Sequence, residues 1–375
     1  TVSAVRETYM AITDPHALPN SGFFRPLKVI APPGTVFNPQ RPAPTSTFWE
    51  AMSYATDLVW KALAPHVPDK LTAGHFLSIL TTILGGIDDR TGEPFAIVEP
   101  QAGGWGAGYD RDGESALVAC GDGETYIASN EVYERRMPIL VERYTLNTED
   151  GVGHGKFRGG FGVFKDYRVL CSEASFTVSI GRSKFPPWGV AGGWNGPPNY
   201  CIIYKQGEPP RKVRRVAAVK LKRGDLVSLH SAGGGWGSPL ERDPKLVQWD
   251  VKNEYITLEQ ARNIYGVVLD PETLEIDWET TRKLREEMKK LEAEEREGGG
   301  PSGGSPRTIC SAAPSIERRA LSSVLRESRG FACNIKAKHI PAAIAFAVGF
   351  HDLLGSMESM LVRTPIAPLL AFMLL

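Results

Sequence analysis

The sequence has 375 residues, of which 43 are Lys or Arg and 43 are Asp or Glu, so its formal net charge at pH 7 is zero. A chain of this length forms two or three domains, or one large domain with a tail. The balanced charge argues against a dedicated nucleic-acid binder and against attachment to anionic membranes.

The N-terminal part of the chain predicts helices separated by a long loop. Residues 1–10 have the pattern of the interior of an element, and no signal peptide opens the sequence, so we expect this end to have been cut from a longer protein. The proline-rich stretch 13–45 predicts extended backbone. Thr47 and Glu50 then predict a capping box for a helix that ends before Pro65, and a further apolar run at 75–84 is expected to stop at the next two glycines.

Glycine clusters and short strands alternate in the middle of the chain. The clusters lie at 103–108, 158–162, 192–193 and 233–237. The segments between them are rich in β-branched and aromatic residues, a composition typical of strands; they lie at 164–170, 174–180, 200–204, 213–221 and 226–230. The sequence therefore predicts an α+β fold with a mainly antiparallel β region, flanking helices and glycine-rich loops.

The C-terminal part predicts helices, a linker and a tail. Residues 257–265 begin with a possible capping box, and 282–297 read as a highly charged, solvated helix. We expect a plan of mixed α/β structure at 1–150, a β-rich section at 151–240 and helices at 241–297. A Gly/Ser/Pro linker at 298–308 would then lead to a disordered or poorly packed tail at 309–375, for which an interaction segment and a membrane-associated one are alternatives.

The cluster Gly103, Gly104, Trp105 and Gly106 is the first candidate site. It lacks the spacing of a nucleotide-binding loop, so it is a weak phosphate site. Two other interpretations stay open. The glycines make a tight turn where backbone approaches backbone under a tryptophan, or they line a substrate pocket or subunit interface in which missing side chains leave room.

Two further groups of polar residues are candidates for binding. Asn20 suits a turn, and Arg25 precedes a proline, so its guanidinium either holds a carboxylate or ties a loop to backbone carbonyls. Asn130 is followed by Glu131 and Glu134, which share one helix face. That pair either orients a substrate amide and transfers protons, or forms surface ion pairs with the neighbouring arginines.

Spacing motifs for metals and nucleophiles are missing from the sequence. Asp110, Asp112 and Glu114 resemble part of a calcium loop that lacks its later ligands, and the histidines show no metal-binding spacing. The five cysteines are widely spaced without Cys-x-x-Cys pairs, which predicts buried free thiols in a reducing cytoplasm. We therefore predict no metal site and assign no nucleophile.

Six motifs in order resemble the hydantoinase B/oxoprolinase family, which includes N-methylhydantoinase B subunits, 5-oxoprolinase and the α subunits of acetone and acetophenone carboxylases. They lie at 20–34, 103–108, 138–144, 155–162, 185–189 and 232–239, and include Gly-Gly-Trp-Gly-Ala-Gly, Phe-Pro-Pro-Trp-Gly and Gly-Gly-Gly-Trp-Gly-Ser-Pro. The resemblance runs over about residues 1–270, so residues 1–297 are expected to be the C-terminal part of such a domain.

The resemblance implies a cytoplasmic subunit of an ATP-dependent amidohydrolase that opens cyclic amides of the hydantoin or 5-oxoproline type. A partner of the hydantoinase A type would bind ATP and phosphorylate the substrate. A carboxylase α subunit acting on a ketone and a truncated, non-catalytic assembly chain are the alternatives. The family's divalent metal is expected, but its ligand segment precedes the matched part. The residues implied to line a pocket or shape the fold are Asn20, Arg25, Gly103, Gly104, Trp105, Gly106, Asn130, Glu131, Glu134, Arg158, Gly159 and Gly160.

Overall fold

The computed structural model describes residues 1–45, 48–121 and 125–297, all within a unit that spans Thr1–Ile309. The predicted linker and tail, and Thr47 of the predicted capping box, lie outside these ranges, so the domain plan remains a prediction. Within the described part of the chain, no helix is both long enough and apolar enough to cross a membrane.

Two N-terminal helices pack against each other. Helix α1 spans Val2–Ile12 and helix α2 spans Phe48–Leu63, just before Pro65. The side chain of Glu50 does not act within its own helix turn. Its Oε1 accepts hydrogen bonds from the backbone N–H of Ile79 at 3.2 Å and from the hydroxyl of Ser78 at 3.3 Å. Glu50 therefore anchors α2 to the segment that enters the first strand.

Nine strands form two antiparallel sheets. The four-stranded sheet has the order β2-β1-β5-β8, with β1 at Thr81–Ile87, β2 at Pro94–Glu99, β5 at Glu173–Ser179 and β8 at Arg215–Lys222. The five-stranded sheet has the order β3-β4-β9-β6-β7, with β3 at Ile139–Leu146, β4 at Phe161–Val169, β6 at Tyr200–Tyr204, β7 at Arg211–Val213 and β9 at Leu226–Ala232. Helix α3, Asn130–Arg136, leads directly into β3.

The main core is shared by the two sheets. Phe176 of the four-stranded sheet and Tyr167 of the five-stranded sheet are at most 1% exposed within the same apolar cluster. Cys171 and Cys201 belong to this cluster as buried free thiols. Alternating side chains of each strand point into the cluster, as expected for sheets with one face on the core.

Three C-terminal helices surround a smaller core. They are α4 at Pro244–Lys252, α5 at Leu258–Asn263 and α6 at Trp278–Glu297. Tyr265 is fully buried in this second cluster. Helix α5 begins with the predicted capping box, in which Thr257 and Gln260 exchange side-chain-to-backbone hydrogen bonds.

The α+β fold class is confirmed, and two segment predictions need correction. The apolar run does not stop at Gly85, because β1 continues through both glycines; a Cβ on Gly86 would lie 2.6 Å from the carbonyl oxygen of Glu173 on β5, so glycine allows this pairing. The predicted strand 213–221 is two strands in different sheets, separated by Arg214.

Candidate functional site

The glycine clusters pack against each other through their backbones. A Cβ on Gly104 would overlap the carbonyl oxygen of Gly160, and a Cβ on Gly160 would overlap that of Glu114. At Gly106 the carbonyl group of Ala73 occupies the same position. Since real Cβ atoms do not approach backbone this closely, glycine is required at each place. The space beside these glycines is filled by backbone and offers no open passage.

Hydrogen bonds between distant loops complete this packing. The backbone N–H of Gly160 donates to Trp105 at 2.8 Å, and that of Gly153 donates to Gly233 at 2.8 Å. A Cβ on Gly159 would overlap the carbonyl oxygen of Gly233, and one on Gly103 would overlap the ring of Phe76. We call the segments 103–108, 153–162, 188–196 and 233–237 the glycine loops.

Two histidines within this region are buried in their neutral form. The Nδ1 atom of His75 accepts a hydrogen bond from the backbone N–H of Gly106 at 2.9 Å. Burial, assisted by the charge of Arg182, lowers the pKa of His75 to about 3. Burial and the charge of Arg242 lower the pKa of His154, which contacts Tyr265, to about 4. Neither ring gains a proton at neutral pH.

Arg158 belongs to a buried ion network. Its Nε lies 3.2 Å from Oδ1 of Asp250 on α4, and Arg242 bridges Asp250 and Asp112 at 2.7–2.8 Å. Burial alone would raise the pKa of Asp112, but the hydrogen bonds and charges of the two arginines hold that pKa below its ordinary value. Asp112, part of the incomplete calcium pattern, thus fastens a glycine loop to the helical layer.

A cavity of about 450 Å³ lies beside helix α3. It is lined by residues 116–118, by residues 125–131 and by Tyr144 of β3. The candidates Asn130 and Glu131 therefore lie together at its edge. The Glu131 side chain is exposed and makes no hydrogen bond or ion pair within the described ranges, whereas Oδ1 of Asn130 is buried without a partner.

A glycine loop supports one wall of this cavity. Gly103 and Leu117 exchange two backbone hydrogen bonds at 2.7 and 3.0 Å, and Nε1 of Trp105 donates to the carbonyl oxygen of Val118 at 2.8 Å. Gly103 and Trp105 do not line the cavity themselves, but they hold in place residues that do. The tryptophan of the first sequence motif thus supports the cavity wall.

A buried polar cluster lies behind Tyr144. The Nζ atom of Lys165 is 4.5 Å from the centre of the Tyr144 ring and 2.9 Å from Oε1 of Glu99. Tyr167 and Gln101 also donate hydrogen bonds to Glu99. Burial lowers the pKa of Lys165, although Glu99 opposes that shift. Lys165 and Glu99 are at most 1% exposed, so their charges compensate each other out of contact with solvent.

This cluster also reaches helix α3 through Tyr133. Burial, together with the charge and hydrogen bond of Glu99, raises the pKa of Tyr133 to about 12, so this phenol stays protonated. Sequence reasoning missed the cluster, although a signal existed. Lys165 alternates with Val163 and Tyr167 on β4, which places a lysine on the core face of the strand.

A second polar arrangement lies on the opposite face of the five-stranded sheet. Nε2 of His230 is 3.0 Å from the hydroxyl of Ser228, and its Nδ1 is 3.0 Å from Oδ2 of Asp150. The His230 ring is stacked on Tyr200 at 4.0 Å and meets Phe164 edge-on at 4.6 Å. Ser228 is 1% exposed and does not line the cavity described above, so this chain of hydrogen bonds is enclosed within the sheet surface.

The remaining candidates lie outside the cavity. Oδ1 of Asn20 accepts from the backbone N–H of Phe23 at 3.0 Å in an exposed turn, and the Arg25 side chain is exposed without a partner within the described ranges. Oε1 of Glu134 accepts from the backbone N–H of Val141 at 2.9 Å and ties α3 to β3. The structure therefore unites only two of the polar candidates, Asn130 and Glu131.

The described residues do not fit the divalent metal that the resemblance implies. Within 1–45, 48–121 and 125–297, no group of three His, Cys, Asp or Glu side chains is arranged to hold a metal ion.

Comparison with known proteins places the chain in a family. Residues 1–239 match Hydantoinase B/oxoprolinase. An uncharacterized protein of Methanocaldococcus jannaschii is 34% identical over 289 residues, which are 76% of this chain and 50% of that protein. A putative D-/L-hydantoinase B subunit of a Pseudomonas species is 32% identical over 281 residues, 71% of this chain and 44% of that relative. The chain thus spans about half the length of these curated relatives.

Two solved structures share the fold. The ATP-dependent caprolactamase of Pseudomonas jessenii has a TM-score of 0.62 at 25% identity, covering 76% of this chain and 51% of that one. Nucleotide-free acetone carboxylase has a TM-score of 0.66 at 21% identity, covering 78% and 44%, a likeness of fold alone. From the match over residues 1–239, the chain belongs to the hydantoinase B/oxoprolinase family.

Proposed function

We propose that this chain is a subunit of a cytoplasmic, ATP-dependent amidohydrolase that opens cyclic amides. The observation that carries the proposal is the likeness to a hydantoinase B subunit in sequence and to an ATP-dependent caprolactamase in fold. The proposed partner is an ATP-binding subunit of the hydantoinase A type. Its support is that a relative is named as one lettered subunit of a hydantoinase, which implies at least one other.

The need for ATP follows from the chemistry of the amide. A lactam carbonyl is a poor electrophile, and its nitrogen is a poor leaving group. Transfer of the γ-phosphoryl group of ATP to the carbonyl oxygen, by the partner, gives ADP and a phosphorylated imidate whose carbon is open to attack. One water then adds to that carbon, and the ring C–N bond breaks to leave an amine and an acyl phosphate. A second water releases inorganic phosphate and the carboxylate.

We assign the cavity beside α3 to the binding of the cyclic amide on this chain. Its volume of about 450 Å³ falls in the range of small-molecule sites. Glu131 offers an exposed hydrogen-bond acceptor at its edge, which suits the N–H of a ring amide or a water molecule. The buried Lys165–Glu99 pair lies behind Tyr144 and has the role of holding the wall and α3 in position.

The test is turnover by the assembly of this chain with an ATP-binding subunit of the hydantoinase A type. Hydantoin, caprolactam and 5-oxoproline are offered in turn, and ring-opened product and ADP are measured together. We expect ring opening of at least one of them to require ATP and to proceed without bicarbonate. ADP release without any ring-opened product would contradict the proposal.

A carboxylase α subunit is the second candidate, supported by the shared fold with acetone carboxylase. It predicts that product forms only when both bicarbonate and a ketone such as acetone are present. Incubation with ¹³C-bicarbonate and acetone, followed by ¹³C NMR of the products, separates the two functions. Labelled acetoacetate would favour the carboxylase, and its absence together with ring opening would favour the amidohydrolase.

A non-catalytic assembly chain makes a different prediction. If this chain only holds other subunits together, filling the cavity leaves turnover unchanged. We expect Ala128→Trp, which places a bulky ring in the lining, to abolish turnover, whereas Glu208→Gln, in an exposed turn outside the cavity, leaves it unchanged.

A further inference from the structure

The charge of the cavity lining is one-sided. Among the residues that line it, Glu131 is the single charged side chain, and neither arginine nor lysine contributes. The other polar contacts come from the hydroxyls of Ser129 and Tyr144, the amide of Asn130 and Thr125. The remaining lining side chains are alanine, leucine, valine, isoleucine and tyrosine, so most of the wall is apolar.

Cations near the cavity do not compensate Glu131. Lys165 lies behind the Tyr144 ring, is 0% exposed and is paired with Glu99 at 2.9 Å. Arg135 and Arg136 are on the same helix as Glu131 but do not line the cavity. A ligand inside therefore faces a carboxylate without a facing cation from the described residues.

The helix that carries Glu131 is held firmly in place. Oε1 of Glu134 accepts a hydrogen bond from β3, and Tyr133 packs against the main core and contacts Glu99. The Glu131 carboxylate thus projects from a fixed backbone at the edge of the cavity, and it cannot leave without unfolding the first turn of α3.

We propose that the cavity selects neutral, ring-shaped amides with an N–H donor, of the hydantoin and caprolactam type, and rejects cyclic amides that carry a carboxylate, such as 5-oxoproline. This selection rests on the proposed function, because it assigns the substrate class within cyclic amides. The apolar walls receive the ring, and Glu131 accepts a hydrogen bond from an N–H. A substrate carboxylate would be desolvated beside a like charge with no cation to pair with it.

The test measures binding rather than turnover. Dissociation constants of hydantoin, caprolactam and 5-oxoproline are determined by ligand-detected NMR on the assembly without ATP. We expect 5-oxoproline to bind roughly tenfold more weakly than hydantoin, the size of effect that two like charges about 10 Å apart have near a protein surface. Equal or tighter binding of 5-oxoproline would overturn the inference.

Charge variants at one position make the test specific. Glu131→Gln is expected to remove most of the discrimination, by raising the affinity for 5-oxoproline about tenfold and leaving hydantoin within roughly a factor of three. Glu131→Lys is expected to reverse the preference. The same chemical change at an exposed site outside the cavity, Glu208→Gln, is expected to leave both dissociation constants unchanged. Discrimination that persists in Glu131→Gln would overturn the inference.

A cavity-filling variant locates the binding event. Ala128→Trp is expected to weaken all three ligands by at least about tenfold, and unchanged binding would show that they bind elsewhere, against the inference. Loss of ATP-dependent ring opening with charge selectivity intact would contradict the proposed function and not this inference. Turnover with no effect of Glu131 on binding would do the reverse.

Discussion

The glycine loops and the wall of the cavity lie next to each other and are built in opposite ways. In the glycine loops backbone packs on backbone, and the position of a Cβ at Gly104 or Gly160 is already occupied. In the cavity wall, residues 125–131 project their side chains toward open space. The loops therefore allow almost no substitution, whereas the wall can vary its chemistry at little cost in stability.

This difference separates stability from specificity within one segment. Gly103 and Trp105 carry the hydrogen bonds that hold residues 117 and 118, and those residues present their surface to the cavity. A rigid support of this kind keeps the wall in one geometry while its lining side chains are exchanged. Binding sites are commonly placed on variable segments held by a rigid scaffold.

The largest effect is expected from Gly104→Ala. The added methyl group would overlap the carbonyl oxygen of Gly160, and backbone on both sides cannot move aside. We expect a loss of about 4 kcal/mol or more in the free energy of unfolding, the size reserved for severe core defects. Urea unfolding followed by tryptophan fluorescence measures it.

Gly108→Ala is the matched control from the same loop. A Cβ there would meet only Asp110 and Arg111, at 3.3 Å or more and mainly through their flexible side chains. We expect a change within about 1 kcal/mol. Equal losses for both variants would refute the difference between the loop interior and its end.

The next largest effect is expected at the network that joins a glycine loop to the helices. Arg242→Met leaves Asp112 and Asp250 without their main cation, and Asp250 is only 3% exposed. Removing one partner from a buried ion pair costs about 3–5 kcal/mol. Urea unfolding is compared with that of Arg90→Met, whose ion pair with Asp88 is on the surface and contributes about 1 kcal/mol at most. A smaller loss in Arg242→Met than in Arg90→Met would contradict the expectation.

Acid is expected to act on the glycine region through its histidines. Folding lowers the pKa of His75 to about 3 and of His154 to about 4, from an ordinary value of 6.5. Above pH 6.5 both states are neutral, so the histidines add no pH dependence. Below it the unfolded chain binds protons that the folded chain excludes, and the free energy of unfolding falls. From pH 6.5 to 5 the two histidines together cost about 3 kcal/mol.

His75→Asn tests this dependence. Asparagine offers an acceptor for the backbone N–H of Gly106 but does not titrate. We expect the pH-dependent loss between 6.5 and 5 to shrink by about half relative to the unmodified protein. Chemical denaturation at several pH values measures it, and an unchanged slope would count against His75.

The smallest effect is expected in the cavity wall. Glu131→Gln removes an exposed charge that has no partner within the described ranges, so the free energy of unfolding should change by less than about 0.5 kcal/mol. Thermal unfolding checks this value. A loss of several kcal/mol would mean that the wall is as intolerant as the glycine loops.

Local patterns in the sequence predicted much of the fold. The strand Tyr200–Tyr204 and the capping box of Thr257 and Gln260 are confirmed because both depend on residues within a few positions of each other. The α+β class and the family are also confirmed. Glu50 had the spacing of a capping residue, yet its hydrogen bonds go to Ile79, 29 residues away, and no local rule indicates that partner.

The site was less predictable because its parts come from separate segments. Glu131 and Asn130 attracted attention through their helix spacing, but the cavity also needs residues 116–118 and Tyr144. Lys165 and Glu99 are 66 residues apart, and their pairing depends on how the two sheets share a core. Asn20 and Arg25 belonged to a motif of the resemblance, and the structure places both on the surface, apart from the cavity lining.

The glycine loops also determine how the chain divides. The backbone of Gly74 is bonded to Trp188 and to Gly234, so contributions separated by 160 residues meet at one place. A segment that ended anywhere between these positions would expose carbonyl and amide groups whose partners had been removed. Residues 74–234 consequently constitute an indivisible folding unit, and circular permutation or domain insertion should succeed only in surface turns that keep all of them in one chain.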